Sequence, residues 1–116
     1  MSVVEIISDK RLEKALDFLR ENEEAAAKAK ATRKYIEEFL PALRAQIAVE
    51  CLEKGDSATA ADMKAKASQA YRDQLTAYRI AVEEDELMRS KFSRADLEIE
   101  IWRSDQARIR SMHKVA

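Results

Sequence analysis

Glycine and proline are nearly missing from this chain, which has one of each in 116 residues. Hairpin loops, tight turns and strand-to-helix connections draw heavily on those two residues, and a sheet protein of this length needs many such corners. An all-α chain with very few breaks is what remains. Aromatic residues are scarce too, three Phe, three Tyr and one Trp, and much of the apolar fraction is Ala, which buries little surface per side chain. Thin helix-on-helix packing, completed by a second copy, is the expected result. Cys51 is the lone cysteine and His113 the lone histidine, so no intramolecular disulfide and no cysteine-based zinc site can form. A single unpaired thiol fits a reducing cytoplasm. No uncharged run exceeds five residues, which excludes a transmembrane helix and the apolar core of a secretory signal, so no membrane role is expected. The formal net charge of −1, from 21 basic and 22 acidic residues, argues against a chain built mainly to coat nucleic acid.

What is abundant is charge, at 37% of residues, mixed with Ala and Leu in the proportions used by long helices and coiled coils. The whole chain, 1–116, reads as one all-helical domain. Met1 to Ile7 form an apolar lead-in. Ser8 and Asp9 then offer capping oxygens just before Leu12, Leu16 and Leu19 set a helical spacing. A first helix is expected over about 9–54. Pro41 removes one backbone hydrogen bond and predicts a kink near 41, while the stripe Ile36, Leu40, Leu43, Ile47, Cys51 passes through it. The clear corner is Lys54-Gly55-Asp56-Ser57, where Gly55 suits the left-handed residue after a helix end. Thr59, followed three residues later by Asp62, resembles a capping box opening a second helix over about 59–112. At 1.5 Å per residue the arms would be roughly 70 and 80 Å long, so either two copies associate or a second break near 90–93 shortens the hairpin.

In the second arm Tyr78, Asp85, Phe92, Ile99 and Gln106 recur every seven residues, interleaved with Ala81, Met88, Ala95, Trp102 and Ile109. That is a coiled-coil-like seam with two polar interruptions, and Tyr78, Met88, Phe92, Ile99, Trp102 and Ile109 are its candidate contacts for self-association or a partner. The alternation Leu97, Ile99, Ile101 could belong to a strand, but no second strand exists to pair with it. If the chain reverses at Gly55-Asp56, Lys28, Lys30, Arg33 and Lys34 land beside Glu83 to Glu86. By the same folding Glu21, Glu23 and Glu24 approach Arg89, Lys91 and Arg94, and Asp9, Glu13 and Asp17 approach Arg103, Arg108 and Arg110. Three blocks of opposite sign in order select register and direction more than they add stability.

Catalytic chemistry is poorly provided for. There is no glycine-rich phosphate loop and no His-containing acid cluster of ligand spacing, so neither an enzyme nor a cofactor is expected. Glu83 to Glu86 are consecutive and, on a helix, point in different directions rather than at one ion. Cys51 ends an apolar stripe and reads as a small buried residue, with a reactive thiol as the alternative. The C-terminal stretch has a second reading. Trp102 beside Arg103, followed by Arg108, Arg110 and Lys114, could grip nucleic acid by stacking and phosphate contacts. Against it, Trp102 falls on the seam, and the arginines can balance the acidic first turns of the first helix.

Tyr35-Ile36-Glu37-Glu38-Phe39, the Ala-Val-Glu-Glu-Asp-Glu-Leu-Met-Arg run at 81–89 and Ile99-Glu100-Ile101-Trp102-Arg103-Ser104-Asp105-Gln106 together resemble a group of small helical proteins encoded by bacteriophages and prophages. The likeness covers roughly 28–110. Proteins of that group accompany replication and recombination genes and have no assigned activity, so the likeness transfers no binding residue. The poor catalytic inventory and the long amphipathic stripes lead to the expectation of a non-enzymatic accessory protein of the host cytoplasm that self-associates and binds a protein partner of replication or recombination.

Overall fold

The computed structural model describes residues 5–115. Three helices follow one another: α1 over Asp9–Glu53, α2 over Ala58–Ala67 and α3 over Gln69–Val115, with no strand among the described residues. The fold is an all-α antiparallel hairpin. Of the apolar lead-in, Met1 to Val4 lie outside the described residues, while Ile7 is buried and Ile6 is exposed.

Each boundary has a local cause. Ser8 caps α1, its Oγ accepting from the Arg11 amide at 3.2 Å. Pro41 sits inside α1, which continues past it to Glu53. The corner is a Schellman closure. Gly55 donates its amide to the Leu52 carbonyl at 3.0 Å and Asp56 donates to Cys51 at 3.1 Å, with Gly55 at φ +100°. The cap of α2 is Ser57 rather than Thr59, its Oγ accepting from the Ala60 amide at 3.2 Å. Asp62 has a different task, an ion pair with Arg44 at 2.7 Å.

The expected second helix is divided, and at another place than foreseen. Ser68 is extended at φ −65° and ψ 148° and separates α2 from α3, whereas α3 runs unbroken through 90–93. Ser68 closes both ends it touches. Its hydroxyl donates to the Ala65 carbonyl at 2.7 Å and accepts from the Tyr71 amide at 3.3 Å. The division is made by packing together with this cap: Ala61 and Ala65, 1% and 0% exposed, seat α2 closely, and the extended residue lets α3 leave in its own direction.

Contacts group the chain into two units. In Ala27–Glu86, Ile36, Leu40 and Ala81 form a buried cluster with Tyr71, Ala77 and Tyr78 against it. In Met1–Ala26 with Leu87–Ala116, the buried residues are Ile7, Ala15, Ala95 and Asp105, beside an edge-to-face pair of Phe18 and Phe92 at 5.5 Å. Alanine dominates both cores, and no large side chain among the described residues is fully buried.

Candidate interaction surfaces

The seam residues of α3 are spent largely inside the chain. Tyr78 packs on the Ile36–Leu40–Ala81 cluster and donates its hydroxyl to Glu37 Oε1 at 2.8 Å, and that acceptor raises the phenol above its ordinary pKa. Phe92 meets Phe18, and Trp102 donates Nε1–H to Asp9 Oδ1 at 3.0 Å. Met88, Ile99 and Ile109 are half-buried. Of the two polar interruptions, Asp85 is buried and Gln106 half-buried. Asp85 receives Arg33 Nη1 at 3.1 Å, and the same nitrogen reaches Glu86 at 2.7 Å. The two carboxylates push the guanidinium pKa up. This is the first charge block meeting its complement, through Arg33.

In the third block the ion pairs that form include local ones. Arg103 turns to Glu100 at 2.8 Å and Arg108 to Asp105 at 2.7 Å, each three residues away on α3, and Asp17 pairs with Arg20. Residues three apart on a helix are neighbours without ordering a second element, so the local pairs win. The cross-helix pair at this end is Arg11 with Glu98 at 2.9 Å. In the second block, Arg94 stands 3.9 Å from Glu98.

Asp105 is the buried site that sequence reading missed. Its side chain is 0% exposed, one oxygen takes Arg108, and the other accepts the Ile6 amide at 2.9 Å. Arg108 first and that amide second hold its carboxyl below the usual range. Its signal in the sequence is Asp105-x-x-Arg108. The amide donor 99 residues away leaves none.

The basic C-terminal stretch is partly committed. Trp102, Arg103, Gln106 and Arg110 line a shallow pocket of about 240 Å³. Trp102 N–H, Arg103 and Arg108 already have partners, while Arg110 and Lys114 are exposed with no ion-pair partner among the described residues. His113 is exposed in the last turn of α3, and Cys51 is half-buried and free. No group of three His, Cys, Asp or Glu able to hold a metal ion occurs among the described residues, and Asp85 faces inward while Glu83, Glu84 and Glu86 face water.

Large apolar side chains meanwhile remain on the surface. Tyr35, stacked on Phe39 at 5.9 Å, is 66% exposed, and Val49, Leu52, Met63, Ile80, Leu87 and Leu97 also face outward. In the unit containing both chain ends, Lys14, Lys91 and Arg94 surround a groove of about 250 Å³ floored by Ala15, Phe18 and Ala95. No described helix is long and apolar enough to cross a membrane. Compared with known proteins, the chain matches no family model, no curated protein and no solved structure.

Proposed function

We propose that this protein is a non-enzymatic, phage-type accessory protein of the host cytoplasm that self-associates and binds a protein of the replication or recombination machinery through amphipathic helical faces. The observation that carries the reading is the inversion of large and small apolar residues. Five of the eight buried apolar residues described are alanines, while Tyr35, Met63, Ile80, Leu87 and Leu97 are at the surface. Exposed apolar residues distributed along helices are what an assembling or docking protein retains. The phage origin rests on the likeness of segments 35–39, 81–89 and 99–106 noted above. Light scattering across micromolar concentrations tests the first half. A mass that stays at 13.3 kDa into the hundreds of micromolar, with helical circular dichroism intact, would overturn self-association. Pull-down with purified replication and recombination proteins tests the second half.

The exposed cations Arg110 and Lys114 beside the Trp102 pocket support a second reading, direct binding of DNA. Phosphate contacts make affinity fall by roughly 0.7 to 0.9 log units per log unit of salt for each contact. Anisotropy of labelled oligonucleotides at low and moderate salt separates the two readings, and absence of binding at low salt removes this one.

A further inference from the structure

Along one face α3 carries charged and apolar groups that its own chain leaves open. α3 turns Ile80 outward, 46% exposed, with Glu83 and Glu84 beside it, and neither carboxylate has an ion-pair partner among the described residues. Further along the same helix Leu87 is 57% exposed, and Lys91 and Arg94 are exposed beside it, both lining with Lys14, Phe18 and Glu98 the groove described above. Lys14 and Lys91 have no ion-pair partner among the described residues, and Arg94 reaches only the distant Glu98. All of these except Lys14 and Phe18 belong to α3, where Glu83 and Glu84, then Leu87, then Lys91 and Arg94 come in that order. Ile80, Leu87 and Arg94 recur at seven-residue spacing and so share one face of the helix, with Glu84 and Lys91 on one flank of that line and Glu83 on the other.

We propose that this outer face of α3 is a self-complementary interface, occupied by a second copy of the chain lying antiparallel to the first. Leu87 then meets Leu87 of the other copy, Glu84 of each copy meets Lys91 of the other, and Arg94 lays its stem over Ile80 of the other copy with its guanidinium within reach of Glu83. An antiparallel two-fold keeps each flank of one helix against the same flank of its mate, so Glu84 and Lys91, being on one flank, come together twice. A parallel arrangement would instead set acid on acid and base on base, which charge complementarity disfavours. The inference rests on the self-association reading and specifies its surface.

Charge reversal tests it. One variant carries Glu83→Lys and Glu84→Lys, the other Lys91→Glu and Arg94→Glu, all at exposed positions, with helix content checked by circular dichroism. Sedimentation equilibrium of each alone should show dimerisation weakened by at least about tenfold, since every cross-copy pair becomes like-charged. An equimolar mixture should dimerise at close to the wild-type constant, because each copy then offers the charge the other lacks. If the wild type dimerises and both variants do so equally well, or if both are weakened and their mixture is not rescued, this interface is overturned while self-association stands. A wild type that remains monomeric overturns both.

Discussion

Replacing Gly55 by alanine isolates the conformational demand of the hairpin corner from any packing effect. A Cβ built on Gly55 finds nothing within 4 Å, so the added methyl meets no neighbour. What it meets is its own backbone, because φ is +100° and the Schellman bonds from Gly55 and Asp56 hold it there. A residue with a Cβ in this region costs about 1–2 kcal/mol. Alanine also restricts the unfolded chain, which at a compatible site would return about 0.4–1 kcal/mol. The net loss is therefore about 1 kcal/mol, or roughly 4 °C in Tm for a chain of this size. Asn, which tolerates the left-handed region, should cost less than Ala. Pro should cost most, since it fixes φ near −65° and deletes the amide that Leu52 accepts, a loss of about 3 kcal/mol or more. The assay is thermal melting by circular dichroism at 222 nm. Protein concentration must be fixed, because any self-association makes Tm depend on it. A Gly55→Ala protein that melts higher than the wild type would refute the reasoning. That outcome is the one expected of a helix running straight through position 55, where Ala replaces a poor helix former by the best and gains about 1 kcal/mol.

Three further measurements probe the polar contacts. Arg33→Met leaves Asp85 buried without its cation and should lower Tm by several degrees, while the paired change Arg33→Met with Asp85→Leu should recover much of the loss; a double variant no better than the single one refutes the pairing. Asp105 has a depressed folded pKa, so its stabilisation is complete above the unfolded value of 3.8 and is lost as pH falls through the lower folded value. Asp105→Asn should therefore flatten the acid limb of a Tm-against-pH curve, and an unchanged limb would exclude Asp105 as its source. Trp102 is the sole tryptophan, so its fluorescence reports on one site, and Asp9→Ala should shift its emission through loss of the acceptor for Nε1–H while leaving helix content near the wild type.

Sequence reading recovers this fold where contrast along the chain is high. One Gly and one Pro leave little but helices, Gly55 is the sole residue suited to the corner, and the seven-residue seam of α3 stands out because Phe92, Ile99 and Trp102 alternate with charge. Where contrast is low, the reading slips. Leu16 belongs to the helical spacing Leu12, Leu16, Leu19, yet it is exposed and Ala15 beside it is buried. The middle of α1, from Asn22 to Arg33, carries its inward positions on Asn22, Ala26, Ala29 and Arg33, set among other alanines that give no period to see. Ser68 lies in Ala-Lys-Ala-Ser-Gln-Ala, a run with good helix formers on both sides, so the break depends on how Ala61 and Ala65 are seated and is visible only in three dimensions.

The charges show the same limit from another side. Opposed blocks predict that two arms meet, and Arg33 does meet Asp85 and Glu86. Block order cannot choose between a partner three residues away on the same helix and one on the facing arm, because an exposed pair is worth only about 0–1 kcal/mol in either place. A buried carboxylate is costly to leave without a donor, and that donor comes across helices at Asp85, from Arg33, but from the same helix at Asp105, from Arg108, joined there by the Ile6 amide. At the open end Arg103 has a near acid in Glu100, nothing enforces the longer reach, and the local pair forms. Buried carboxylates thus bear on register where they draw a donor from a distant segment, Arg33 at Asp85 and the Ile6 amide at Asp105. The exposed charges that remain, Glu83, Glu84 and Lys91 among them, are free of that duty and available to recognise a second molecule.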